Sequence, residues 1–161
     1  MPSLTDAPVT TSTRAVPPDW IDFNGHMNVA WYTRAFDLAL DEVYGLLGLG
    51  PDYVRDEQAS TFTLEQHVCF LSELREGETL EVTFQLLDHD SKRLHCFMTM
   101  YHAGEHRITA TMEQLSMHVD MRARRATPFP ETVRSRIETM AASHGAMPTP
   151  AEAGRGIRIR R

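Results

Sequence analysis

The sequence predicts an α+β fold in which one antiparallel sheet wraps a single long, mostly apolar helix. Three observations predict it. One stretch near the N-terminus carries apolar residues at helical spacing, four later stretches alternate apolar and polar residues, and the last two connections between those stretches are short and polar. A sheet around one helix leaves a strand edge open. Pairing with a second copy covers such an edge, so a homodimer or a dimer of dimers is expected.

In order along the chain, residues 9–16 read as a short strand ended by Pro17-Pro18. A loop over 19–27 follows. Tyr32, Ala35, Phe36, Ala39, Val43, Leu46 and Leu47 then recur at helical spacing, with Asn28 as the N-cap and Gly48, Gly50 and Pro51 as the stop. In 61–71, Phe62, Leu64, Val68 and Phe70 share one face and Thr63, Glu65, His67 and Cys69 the other. Leu80, Val82, Phe84 and Leu86 alternate in 79–87, and Leu94, Cys96, Met98 and Met100 in 93–101. In 107–120 the apolar phase moves from Ile108, Ala110 and Met112 to Leu115, Met117 and Val119, which predicts a bulge within that strand. Residues 131–142 read as a modest helix. The tail from Met147, with its Pro and Gly residues and Arg155, Arg158, Arg160 and Arg161, reads as a solvated end.

With 161 residues the chain fits one domain, its core over about 9–130 and a C-terminal helix and tail over 131–161. A net charge of −6 points away from nucleic acid and anionic membranes as partners. Two cysteines without a CxxC pair support neither a disulfide framework nor a zinc ribbon. The polar, Thr-rich start has no apolar leader core and no later run is long enough to span a bilayer, so a cytoplasmic location is expected.

The segment Asp22-Phe23-Asn24-Gly25-His26-Met27-Asn28, set just before the helix, resembles the 4-hydroxybenzoyl-CoA thioesterase-like branch of the hotdog superfamily. Trp31-Tyr32-Thr33-Arg34-Ala35-Phe36-Asp37 looks like the start of that family's central helix. A closer likeness takes in Phe62-Thr63-Leu64-Glu65-Gln66-His67, Gln85-Leu86-Leu87-Asp88, Lys92-Arg93-Leu94-His95, Glu113-Gln114, His118-Val119-Asp120 and Ala153-Gly154-Arg155. These stretches are similar to betainyl-CoA thioesterases of carnitine breakdown and to the thioesterase-like domain fused to some carnitine dehydrogenases. The resemblance implies an acyl-CoA thioesterase, releasing a free acid and CoA, with betainyl-CoA or another small acyl-CoA as substrate. It implies no cofactor beyond the CoA of the substrate.

Thioester hydrolysis needs an activated water or a carboxylate nucleophile, and donors for the oxyanion. Asn24, His26 and Asn28 feed a helix N-terminus, whose unpaired N–H groups suit that oxyanion. In relatives the position matched by Asn24 often holds a catalytic aspartate, and an amide cannot act as a base at neutral pH. The carboxylate must come from elsewhere: Glu65 first, Asp22 second, Glu113 third. Asp22 has the alternative role of bracing the loop, Asn24-Gly25 is also a common turn pair, and Glu65 could be a solvated strand residue. Lys92 and Arg93, or Arg122, Arg124 and Arg125, are candidates for the CoA phosphates. Trp31 and Tyr32, with Trp20 and Phe36, could cage a quaternary ammonium acyl group or could simply pack. No metal-spacing motif accompanies the eight histidines, and neither Cys69 nor Cys96 sits in an activating context, so no metal and no thiol nucleophile are expected. The competing functions are a hotdog hydratase or dehydratase and a non-catalytic acyl-CoA-binding module.

Overall fold

The computed structural model describes residues 1–159 and 161; Arg160, one of the tail's basic residues, lies outside the described residues. The long helix, α1 (Val29–Leu47), begins where Asn28 takes an extended conformation and its side-chain oxygen accepts the Ala30 N–H at 3.0 Å. It ends at Gly48, whose φ of +81° is the left-handed conformation glycine adopts without a Cβ penalty. Tyr32, Ala35, Phe36, Ala39, Leu40, Val43 and Leu47 are buried on one side of it. Each large apolar side chain taken fully out of water contributes roughly 1.5–3 kcal/mol. A second helix, α2 (Pro51–Glu57), follows directly. Pro51 serves as helix start as well as stop, since its missing N–H costs nothing in a first turn.

Before α1 the predicted single strand is two short ones, β1 (Val9–Thr10) and β2 (Arg14–Ala15), both antiparallel to β4 (Thr79–His89). The other strands are β3 (Ala59–Phe70), β5 (Arg93–His102), β6 (Arg107–Asp120) and the short β7 (Arg125–Ala126), which pairs β6. The sheet runs β1-β4-β5-β6-β3, with every pairing antiparallel. Leu80, Val82, Phe84, Leu94, Met98 and Met112 join α1 in the core, and α3 (Glu131–His144) adds Val133, Ile137 and Met140. This open sheet curled on one helix is the hotdog arrangement.

Two expectations about faces are corrected. The register of β3 on β6 shifts between Thr63 and Glu65, so Leu64 is an extra, bulged residue. Phe62 therefore lies on the face of Glu65 and His67, turned away from α1, while Thr63, Gln66, Val68 and Phe70 share the helix-facing side. In β6 the predicted bulge does not separate Met112 from Leu115. Pairing is regular there, and the irregularity falls at Met100/Tyr101, which leaves Thr109 as the extra residue. What changes along β6 is which face is apolar. Gln114, Ser116 and His118 are buried on the helix side. They are satisfied by Gln66 and Tyr44 through a chain of bonds at 2.7–3.1 Å, and by Tyr53 and the Thr127 carbonyl at 2.9 Å.

The tail is also not loose. Gln85 Nε2 donates to the Pro148 carbonyl at 3.2 Å, and the Gly154 N–H donates to Glu113 Oε2 at 2.7 Å. These two bonds carry the chain past β4 and onto the outer face of the sheet.

Candidate active site

The predicted site residues fall in two places. The first is the loop into α1. The Gly25 N–H bonds the Asp22 carbonyl at 3.0 Å to close a turn, and Gly25 has a φ of +82° that suits glycine. Asp22 uses both carboxylate oxygens, accepting the Asn24 N–H at 2.8 Å and Asn28 Nδ2 at 2.9 Å. Those bonds hold its carboxyl below the usual range, the Asn24 amide contributing most. Asp22 thus braces the loop and, through Asn28, the helix cap. Asn24 is exposed, and Phe23 beside it is 98% exposed. His26 Nε2 lies 3.5 Å from Glu73 Oε2. Trp31 stacks on Trp20 with ring centroids 5.1 Å apart and planes 9° from parallel. Tyr32 is buried, and its hydroxyl donates to the Ser72 carbonyl and accepts the Leu74 N–H. Its ring meets Phe70 edge-on, so it ties the start of α1 to the end of β3.

The second place is a cavity of about 470 Å³ on the outer face, away from α1. Glu65 and His67 from β3, His95 from β5, Glu113 from β6, and Gly154 and Arg155 from the tail line it. Asp88, Asp90 and Arg93 close its far side, where Arg93 Nε bonds Asp90 at 2.7 Å and holds that carboxyl down to about 2. Lys92 sits at the same hairpin, partly buried, without lining the cavity. Glu113 is held at both oxygens. Its Oε1 pairs with His95 Nε2 at 2.7 Å and its Oε2 takes the Gly154 N–H. Arg155 Nε is buried with no acceptor among the described residues.

Within one chain the structure brings Glu65 together with Arg93 but with none of Asn24, His26 or Asp22. Sequence reasoning gave His95 and Arg155 no role, although a signal was present. Five of the stretches that carry the closer resemblance, separated by up to ninety positions, meet at this one cavity. Elsewhere, burial pushes the Cys96 thiol up to about 12, which leaves no thiolate at neutral pH. Among the described residues no group of three or more His, Cys, Asp or Glu is gathered to hold a metal ion. No helix among them is long and apolar enough to cross a membrane.

Residues 16–137, most of the chain, match the family described as the thioesterase-like superfamily. The chain belongs to that family. A betainyl-CoA thioesterase from Pseudomonas aeruginosa is 40% identical over 92% of this chain and 94% of its own length. An L-carnitine dehydrogenase/betainyl-CoA thioesterase from a Rhizobium species is 41% identical over 86% of this chain, which spans 28% of that longer protein. Among solved structures, a Staphylococcus aureus protein in complex with CoA superposes with a TM-score of 0.87 at 31% identity, covering 93% of this chain and 94% of that one. A 1,4-dihydroxy-2-naphthoyl-CoA thioesterase from Synechocystis superposes at 0.71 with 15% identity over 80% of this chain and 95% of its own, a likeness of fold alone. This thioesterase-like chain is accordingly an acyl-CoA thioester hydrolase. The tail that walls the cavity lies beyond the segment matched to the family.

Proposed function

We propose that the protein hydrolyses betainyl-CoA to betaine and CoA, as a cytoplasmic enzyme of carnitine metabolism built from pairs of identical subunits. The observation that carries the substrate is the 40% identity, nearly end to end, with a betainyl-CoA thioesterase. The cavity's charge supports it. Glu65, Asp88, Asp90 and Glu113 outnumber Arg93 and Arg155, an excess that suits a quaternary ammonium acyl group. Water is the only co-reactant that hydrolysis requires, so no cofactor is called for.

Pairing is supported by β3. It is the last strand of the sheet, twelve residues long, and Phe62 and Leu64 on it are 51% and 46% exposed. Glu65 and His67 put the cavity beside that open edge. A second copy added there would give the loop bearing Asp22, Asn24 and His26 a wall to face, with Asn28 and Trp31 behind it. In this reading the loop's amides contact the bound acyl-CoA, Glu65 borders the reacting group, and Lys92 and Arg93 meet the CoA phosphates.

The test is thiol release from a panel of betainyl-, 3,3-dimethylbutanoyl-, acetyl-, octanoyl- and benzoyl-CoA. The 3,3-dimethylbutanoyl group has the shape of betainyl without its charge. Betainyl-CoA is expected to have the highest kcat/KM, about tenfold or more above that neutral isostere, or about 1.4 kcal/mol of discrimination. A higher value for an uncharged acyl group rejects the substrate assignment. Addition of water to crotonyl-CoA, assayed beside the panel, with no free thiol from any thioester would instead indicate a hydratase.

A further inference from the structure

The loop into α1 supplies amides and one imidazole, but Asn24 is an amide, Asp22 is occupied as a brace, and His26 lies 3.5 Å from Glu73, too far for a bond that would fix its tautomer. The cavity supplies an imidazole with such a bond. We propose that His95 is the general base that activates the hydrolytic water, and that Glu113 is the positioning residue that sets its tautomer. This rests on the chain acting as an acyl-CoA hydrolase.

The geometry is that of a carboxylate–imidazole dyad. Glu113 Oε1 lies 2.7 Å from His95 Nε2. A carboxylate only accepts, so Nε2 carries the hydrogen, and in the neutral ring Nδ1 keeps its lone pair. Nδ1 has no hydrogen-bond partner among the described residues, and His95 lines the cavity while staying about one-third exposed. Glu113 is mostly buried, and its second oxygen is fixed by the Gly154 N–H at 2.7 Å. The carboxylate is therefore held at both ends, by the group it orients and by the tail. An ordinary cross-strand ion pair needs no tail crossing the sheet to anchor it. Arg155, the next residue, lines the same space, its Nε buried without an acceptor among the described residues, and its cation offsets the charge a thioester oxygen would gain there.

As a water oxygen bonds to the thioester carbon, one water proton passes to His95 Nδ1 and the carbonyl electrons move to the oxygen beside Arg155. Collapse of the tetrahedral intermediate breaks the C–S bond, and the imidazolium returns its proton to the leaving thiolate. The acid then loses its proton to solvent. CoA thiol, a carboxylate and one proton result from one thioester and one water.

The experiment measures kcat and KM for the best substrate of the panel with the full-length protein and its His95→Gln, His95→Gly, Glu113→Gln and Glu65→Gln variants. Melting temperature is recorded for each. His95→Gln is expected to lower kcat about 100-fold or more with KM changed by less than about threefold. Glu113→Gln, whose amide can donate to Nε2 and place the hydrogen on Nδ1, is expected to lower kcat by a similar order at unchanged KM. Added imidazole is expected to restore turnover to His95→Gly and not to Glu113→Gln. A folded His95→Gln variant that turns over within about twofold of the unmodified protein overturns the proposal and leaves the hydrolase reading intact. So does a 100-fold loss confined to Glu65→Gln, which would make Glu65 the base. Absence of thiol release from the unmodified protein on every thioester overturns both.

Discussion

His144 sits at the end of α3 with both ring nitrogens engaged. Nδ1 accepts the Leu86 N–H at 2.8 Å and Nε2 faces the Asp6 carbonyl at 2.8 Å. A carbonyl only accepts, so the ring is neutral with its hydrogen on Nε2. It caps an edge of β4 that β1 and β2 leave bare and pins the N-terminal segment in one contact. Burial lowers its pKa below the ordinary histidine value. Between that lowered value and the unfolded value of roughly 6.5, the unfolded chain binds more protons than the folded one. The contribution is therefore fully present above the unfolded value and is lost as pH falls through that window. The urea midpoint of the unmodified protein is expected to decline from pH 7 to pH 5, and a His144→Gln variant to decline less over the same range. Parallel curves would show that other groups carry the acid sensitivity. Sequence reasoning assigned His144 no role and ended the helix at residue 142, because its two partners are backbone groups, and backbone groups leave no mark on composition.

At the scale of elements, α1 was legible because its signals are local: helical spacing of apolar residues, Asn28 before it and Gly48 after it. The strands were legible as strands, but their faces were less so. Alternation read straight through β3 puts Phe62 with Val68, and one bulged residue, Leu64, reverses that. In β6 the buried half is polar, so the apolar residues Leu115, Met117 and Val119 mark the outer face instead of the core. Read together, Phe62, Leu64, Leu115 and Met117 describe an outer surface and an open edge that need cover. A Phe62→Lys, Leu64→Lys double variant should therefore shift sedimentation toward the 18.3 kDa single chain, while the unmodified protein sediments as twice that mass or more. An unmodified protein that runs as a monomer at micromolar concentration would remove β3 as a pairing edge.

At the scale of the whole molecule, the outer-face cavity joins parts that the linear sequence keeps far apart. Glu65, Asp88, His95, Glu113 and Arg155 come from four strands and the tail. Glu65, His95 and Glu113 stand at polar positions of alternating strands, whereas Asp88 lies past the predicted end of its strand and reaches this face through the irregularity at Leu87. Periodicity says nothing of the tail, because the Pro- and Gly-containing stretch holds on through the Pro148 carbonyl and the Gly154 N–H; only the resemblance of 153–155 pointed to it. That wall separates this chain's site from whatever the shared family segment builds by itself, since the matched segment stops at residue 137. The central claim is that thioester hydrolysis takes place in the tail-walled cavity, and Gly154 is the point at which to test it. Gly154 has a φ of +74° and supplies the N–H that Glu113 holds. Proline there removes the donor and demands a φ near −65°. The decisive measurement is kcat/KM for betainyl-CoA in Gly154→Pro beside the unmodified protein, with melting temperature recorded for both. A fall of about tenfold or more, with the melting temperature held within about 4 °C, is the predicted result. An unchanged kcat/KM in a variant whose tail has come off the sheet would contradict it.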